Sequence, residues 1–349
     1  MSSTIAVDLA KTVFQVAVGN RAGRVVTRHR LSRPQFEQLL RTTPPALVVM
    51  EACGTAHFWG RLAQDAGHRV TLLPPRYVRP YVRRDKTDRA DTDALLEAVR
   101  NPGIAPVPVK TVAQQELVAL HRIRDQWMAT RTARLNTLRG MLREHGLPVP
   151  AGATRALSAI PLLLADATVP LPRCLRHTLL ALYEEIRALE TRVATLEHDL
   201  AALTAPDPVT QRLQTVPGIG LLTATAMRGT VGNIHAFHRA RQFASWLGLT
   251  TRERSSGARR RLGAITKQGD VYLRYLLTHG ARAVLLAAQR RHRAKRPLTR
   301  LQQWAVAVAE RRGHNRATIA VANKLARVVW AVWVREQPFA ARPALPLAA

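Results

Sequence analysis

Acidic residues are the scarce charge in this chain: 23 Asp+Glu stand against 53 Lys+Arg in 349 residues, a formal net charge of +30. So large an excess opposes compaction unless a polyanion binds the surface, and phosphate neutralisation is the usual reason for it. Lysine is scarce as well. Lys11, Lys86, Lys110, Lys267, Lys295 and Lys324 are six of the 53 cations, which leaves 47 Arg. Guanidinium forks onto phosphate and stacks on bases, in RNA and DNA alike. An Arg- and Ala-rich genome accounts for part of that choice, but not for the net charge. Cysteine is nearly absent: Cys53 and Cys174 are isolated thiols, which excludes a disulfide framework and a thiolate metal cluster. The start, MSSTIAVDLAK, has no signal-peptide pattern, and no apolar run is long enough to span a bilayer. These absences point to a soluble, cytoplasmic bacterial protein that meets nucleic acid and no membrane.

A chain of this length has room for two domains, each with its own core. Residues 5–8, 13–18 and 25–31 read as strands, and Ser32-Arg33-Pro34 opens a helix to about Leu40. Residues 46–51 are almost wholly apolar, as expected of a central strand covered on both faces. A helix over 56–67, a strand over 69–73, a proline-broken basic stretch and a helix over 88–100 complete the order β-β-β-α-β-α-β-α. That order describes an α/β ribonuclease-H-like domain over residues 1–110.

A helical middle is expected over 111–205, beginning with a long helix over 113–145 closed by Gly146 and Pro148. In the next helix Leu175, Leu179, Leu182, Ile186, Leu189, Val193, Leu196, Leu200 and Leu203 repeat with spacing 4-3-4-3-4-3-4-3. This heptad seam predicts a coiled coil. Its partner is either the preceding helix or a second chain, since the preceding helix carries a stripe of its own. Ala205-Pro206-Asp207-Pro208 reads as a hinge, followed by a mainly α domain over 206–336. The Pro/Ala-rich residues 337–349 read as a disordered tail.

Against this cationic background four carboxylates stand out. Asp8 and Glu51 each close an apolar strand, and Asp88 and Asp91, at i and i+3, share one helix face. Four such groups held together repel one another, and a pair of divalent cations removes that penalty while activating an oxygen for in-line attack. Mg²⁺ is the expected ion, with Mn²⁺ the alternative. Singly, each residue has an ordinary explanation: a turn, a helix cap, a solvated face. The joint pattern carries the reading. Asp85 falls before the helix, and Asp93 lies about 200° round from Asp91, so Asp88 and Asp91 are the chosen pair.

The second half carries a different signal. Val216-Pro217-Gly218-Ile219-Gly220 is a turn of the helix-hairpin-helix kind, in which Gly218 and Gly220 let backbone N–H groups approach a phosphate. From Arg252 to Arg300 there are 14 Lys+Arg and 2 Asp+Glu, a net of +12. Arg254, Arg259, Arg260, Arg261, Lys267 and Arg274 are therefore candidate nucleic-acid contacts. Within this stretch Ser255-Ser256-Gly257 could set a hydroxyl beside a scissile phosphate, with cations stabilising the developing charge. On sequence chemistry alone, phosphate binding or turn capping by these serines is the favoured reading.

Taken together, IAVDLAKTVFQVAV, VVMEACGTAHFWGR, KTDRADTDALLEA, VPGIGLLTA, FASWLGLTTRERSSG and ITKQGDVYLRYLL resemble one family over nearly the whole chain. It is that of bacterial insertion-sequence transposases pairing a RuvC-type acidic (DEDD) domain with a C-terminal serine domain. These are the bridge-RNA (seek-RNA) guided recombinases, related to the Piv-type invertases. By this resemblance Asp8, Glu51, Asp88 and Asp91 correspond to the Mg²⁺-binding tetrad, and Ser256 to the nucleophilic serine, with Ser255 the fallback. The implied reaction is DNA strand exchange through a serine–DNA covalent intermediate, with donor and target DNA and an element-encoded noncoding guide RNA as partners. The resemblance also implies a homo-oligomer, dimer to tetramer, acting at the nucleoid. Two positions depart from the pattern. Thr92, not Ala, follows Asp91, which leaves Asp93 as an alternative ligand; and Gly248-Leu249-Thr250-Thr251 lacks the usual Pro. The alternative function is a metal-dependent, structure-specific nuclease resembling a Holliday-junction resolvase. A non-enzymatic architectural protein is a third.

Overall fold

The computed structural model describes residues 3–20, 22–82 and 88–341. The chain divides into two compact units, Met1–Gln115 and Glu116–Ala349.

The first unit is a five-stranded sheet of order β3-β2-β1-β4-β5. Its strands are β1 (Thr4–Asp8), β2 (Val13–Gly19), β3 (Val25–Ser32), β4 (Leu47–Glu51) and β5 (Arg69–Leu73). β1–β2 and β2–β3 pair antiparallel, whereas β1–β4 and β4–β5 pair parallel. Parallel neighbours need crossovers, supplied by α1 (Arg33–Thr42) and α2 (Ala56–Asp65). Both helices cover one face, where Ile5, Val7, Val16, Val48 and Met50 pack with Phe14, Phe36 and Trp59. The other face is built from small residues, Ala6, Ala17 and Val49, and receives α4 (Asp88–Ala98) through Ala94, Leu95 and Ala98. Between β5 and α4 the proline-rich stretch, expected to be irregular, forms a short helix α3 (Pro75–Val78) with Pro75 in its first turn, where a missing N–H costs nothing.

The second unit opens with three helices, α5 (Val112–Glu144, which begins just ahead of the unit boundary), α6 (Ala153–Ala165) and α7 (Arg173–Thr204). The α7 seam is filled within the chain. Leu135, Leu138 and Leu142 of α5 share a cluster with Leu179 and Ile186 of α7, and Leu117 meets Leu196 and Leu200. Arg124 pairs with Glu197 at 2.7 Å, and Arg131 and Arg134 pair with Glu190 and Glu185. As the α5 number rises the α7 number falls, so the two helices run antiparallel. α6, which the sequence did not suggest, completes the upper cluster through Ala156, Leu157, Ile160 and Leu164.

Residues 205–208 do not form a loose joint. Asp207 caps α8 (Pro208–Gln214) by accepting from Thr210 N at 3.1 Å, and it pairs with Arg228 of α9 (Leu221–Thr230) at 3.2 Å. The remaining elements are α10 (Ala240–Trp246), a hairpin of β6 (Thr251–Glu253) and β7 (Leu262–Ile265), α11 (Val271–Arg293), α12 (Arg300–Arg312) and α13 (His314–Arg335). Their apolar sides form the largest core, with Leu273, Leu277, Leu285, Leu325, Val329 and Phe243 at its centre. By length and hydropathy α13 passes the test for a bilayer span, contrary to the expectation that no such run exists. Its Val321, Leu325 and Val329 are fully buried in that core, the ordinary setting of an apolar helix in a globular unit. The expected disordered tail is corrected at its start. Phe339 packs on the core, and its N–H donates to Thr215 Oγ1 at 2.8 Å. Residues 342–349 lie outside the described residues.

Candidate functional site

Strand parity decides where the first two carboxylates point. Along β1, Ile5 and Val7 face α1 and α2, while Ala6 faces α4; Asp8 shares the parity of Ala6. Along β4, Val48 and Met50 face α1 and α2 while Val49 faces α4, so Glu51 also belongs to the α4 face. Register agrees with parity. Ala6 pairs with Val49 and Val7 with Met50, which sets Asp8 and Glu51 in neighbouring positions one step beyond the last paired residues. Glu51 is opposite Leu73, and Asp8 is opposite Gln15. Both acids are half-buried at the strand ends.

Asp88 and Asp91 belong to α4, the helix that lies over this face. Asp91 precedes Leu95 by four residues and Ala98 by seven, so it falls on the stripe that packs against the sheet. Asp93 is turned away from that stripe and is engaged by Arg28 of β3, at 2.6 Å. The same guanidinium donates to the hydroxyl of the buried Thr92 at 3.2 Å. Asp88 opens the helix, and both its side chain and Asp85 lie outside the described residues. Among the described residues no three acids, histidines or cysteines gather closely enough to form a metal cluster. Two of the expected ligands are nevertheless neighbours of the chemical kind that Mg²⁺ takes. Asp8 and Glu51 are carboxylates on adjacent strands, about 4.8 Å apart along the hydrogen-bonding direction, and hard oxygen ligands are what this ion takes.

The serines sit on the β6–β7 hairpin of the second unit and differ in how they are held. The Ser255 hydroxyl donates to Glu253 Oε1 at 2.7 Å and accepts from Arg261 N at 3.2 Å. Ser256 forms a backbone bridge to Arg259 across a tip that turns at Gly257, whose φ is +54°. Among the described residues the Ser256 hydroxyl makes no hydrogen bond, and it is exposed. Glu253, which the sequence did not single out, accepts from both Ser255 and Arg260 (3.2 Å), and these two hold its carboxyl below the usual range.

Several candidate phosphate contacts differ in the same way. Arg254, Arg259 and Arg261 are exposed on the hairpin, and Arg260 is shared with Glu253. Lys267 is exposed, with φ +56°. Arg274 spends one nitrogen on the backbone carbonyls of Leu247 and Gly269, both at 3.1 Å, where it ties the foot of the hairpin to α11. Gly218 is required for packing: a Cβ there would stand 2.6 Å from Gly280 O of α11. Gly220 has open space around it and caps the N-terminus of α9.

A buried polar group went unnoticed in the sequence. His121 of α5 reaches Thr225 Oγ1 at 2.8 Å through Nε2 and Tyr272 at 3.1 Å through Nδ1. Burial, and then Arg124, lower its pKa to about 4, so the ring is neutral at pH 7. A lone histidine on an apolar helix stripe gives no signal that its partners lie 104 and 151 residues away.

Comparison with known proteins places both halves. A family model described as Transposase, of the IS110 DEDD type, matches residues 5–146, and the model described as Transposase IS116/IS110/IS902 family matches residues 210–296. A probable family 20 transposase of Pseudomonas aeruginosa is 41% identical over 96% of this chain and 97% of its own length. The transposase for insertion sequence element IS1111A of Coxiella burnetii is 39% identical over 96% of this chain and 90% of its own. The transposase for insertion sequence element IS1328 of Yersinia enterocolitica is 35% identical over 94% and 96%. The chain belongs to the IS110/IS116/IS902 family of insertion-sequence transposases, enzymes that cleave and recombine DNA.

Proposed function

We propose that this transposase exchanges DNA strands through a covalent bond to Ser256, assisted by Asp8, Glu51, Asp88 and Asp91, with a guide RNA selecting the sites. The single observation that carries the serine assignment is the contrast on the hairpin. Ser255 is committed to Glu253 and Arg261, while the neighbouring Ser256 hydroxyl stands exposed among arginines at the tip. In the step proposed, Ser256 Oγ loses its proton to solvent as it attacks phosphorus, the P–O bond to one strand end breaks, and the departing oxygen takes up a proton in return, leaving a free hydroxyl end. A strand end then attacks the same phosphorus and releases the serine, so strands rejoin without hydrolysis. Arg254 and Arg259 stabilise the charge that develops on the phosphoryl oxygens.

The acidic residues carry the second part of the proposal. The order β3-β2-β1-β4-β5, with β2 antiparallel to both β1 and β3 and with β1, β4 and β5 parallel, supports a ribonuclease-H-like, RuvC-type domain. Asp8 and Glu51 close its two central strands under α4. Bound there, Mg²⁺ supplies a Lewis acid for a phosphodiester oxygen. Asp91 is the preferred helix ligand over Asp93, whose carboxylate already serves Arg28. Guide-RNA binding rests on the charge of +30 and the 47 arginines. A homo-oligomer is proposed so that one subunit's acids can meet another's serine.

The test combines protein, element-end DNA, the adjacent noncoding RNA and Mg²⁺, and looks for a protease-sensitive protein–DNA adduct. Ser256→Ala abolishes it; an adduct that persists in that variant defeats the assignment. Hydrolytic cleavage without an adduct would point to a resolvase-like nuclease instead. Asp91→Asn should lose activity and Asp93→Asn keep most of it, and the reverse result would transfer the ligand role to Asp93.

A further inference from the structure

Among the described residues three other than glycine have a left-handed backbone: Lys267 (φ +56°), Lys295 (φ +52°) and Glu336 (φ +54°). In that region a Cβ crowds the following carbonyl, so glycine is the residue that fits without strain. Elsewhere the chain obeys this rule at its helix ends: Gly67 follows α2 and Gly146 follows α5, both with positive φ. The ends of α11 and α13 depart from it, with Lys295 after the first and Glu336 capping the second. Arg296 N reaches back to Arg291 O at 2.9 Å and Lys295 N to His292 O at 3.0 Å, the bonds of a helix terminus that normally ends on glycine. Lysine holds that position here although it is one of only six in the chain.

Glu336 shows what can keep a side chain in such a place, because its carboxylate lies 3.6 Å from Arg212. The two lysines have no counterpart of that kind. Both are exposed, and among the described residues neither ammonium has an ion pair or hydrogen bond. Their surroundings are mostly cationic: residues 271–309, which contain α11 and the start of α12, hold eight Lys+Arg and no Asp or Glu, and the nearest acids are Asp270, which caps α11, and Glu310, which lies 3.8 Å from His292. A strained backbone that carries an uncompensated cation on a cationic surface is costly unless an anion arrives.

We propose that Lys267 and Lys295, at the two ends of α11, are contacts for the phosphate backbone of duplex DNA, and that the anion supplies what the chain itself does not. The proposal rests on the chain acting on DNA and not on the chemistry of Ser256, because binding alone is measured. Duplex DNA binding by the full-length protein is followed by fluorescence anisotropy over a range of salt concentrations, beside thermal unfolding of the free protein. Lys295→Gly and Lys295→Asn, both at ease in the left-handed region, should unfold at an equal or higher temperature than the parent. Each should bind DNA about fivefold more weakly, with the slope of log K against log salt shallower by about 0.9. Lys295→Arg should keep the slope. Lys267→Asn should behave as Lys295→Asn does, and the double variant should lose about twice the slope. An unchanged slope in the Gly and Asn variants overturns the proposal. So does a lower unfolding temperature in both, which would make the lysine a structural residue. A slope change seen with an RNA hairpin and not with duplex DNA overturns the choice of DNA.

Discussion

The acidic face of the first unit and the serine hairpin of the second are built on opposite principles. Asp8 and Glu51 are placed by β-sheet register, with two apolar faces fixing which way every residue points. Ser256 is carried by strands of three and four residues with scarcely a buried side chain, held by polar bonds and by a close backbone seat at its foot. Charge explains the division. Under the proposed function, acids that share a cation need fixed mutual positions before the ion arrives, and a core provides that. Under the same proposal, a hydroxyl that reaches a phosphate inside a large ligand needs projection, and a small exposed hairpin supplies it. The same difference predicts that damage to the first site leaves the fold intact, whereas damage beneath the second spreads into its unit.

The largest effect is expected at the acidic pair. Asp8→Asn and Glu51→Gln should each lower strand exchange by about 10³-fold, the scale for losing a group that stabilises transition-state charge. Unfolding temperature should hardly change, because neither position is in the core. Thermal unfolding beside a recombination assay checks this, and a large loss of stability would mean that the acids serve the sheet. Next comes the hairpin's seat. At Gly269 an added Cβ would stand 2.1 Å from Trp246 O and 2.5 Å from Leu247 C. Gly269→Ala should therefore cost about 3 kcal/mol, lowering the unfolding temperature of the second unit by roughly 5–10 °C. Full stability in that variant would show that the hairpin is not seated there. The smallest effect belongs to Ser255→Ala. It removes an exposed brace, so stability should stay within about 0.5 kcal/mol while the rate of adduct formation falls about tenfold through misplacement of Ser256. Ser255→Thr should restore most of the rate, and loss of the adduct as complete as in Ser256→Ala would make Ser255 the nucleophile.

Much of the first unit could be read from the chain alone. Residues 69–73 were expected as a strand and form β5 over that span, and the strands ending on Asp8 and Glu51 end there, because buried strands write themselves as apolar runs. The heptad seam announced α7 but not its partner, since a stripe says only that a face is buried. The partner became visible in the Arg124–Glu197 and Arg131–Glu190 pairs. The β6–β7 hairpin was not foreseen. Its strands are short, arginine-rich and exposed, and leave no alternation to read. α6 was hidden by Pro161, which sits inside the helix and reads as a break. The contact that distinguishes Asp93 from Asp91 comes from Arg28, 65 residues from Asp93, and no local pattern contains that distance. For the same reason nothing in the sequence marks Lys295 as different from its neighbours. Its distinction lies in one torsion angle.

The parity of β1 and β4 also acts as an error check. A single residue inserted into β4 ahead of Val49 would turn the Glu51 carboxylate toward the face of Phe14, Phe36 and Trp59, and would carry Val49 and Met50 to the wrong sides with it. Such a lesion could not yield a folded transposase with a misaimed acid. Folding itself therefore checks which way Glu51 points.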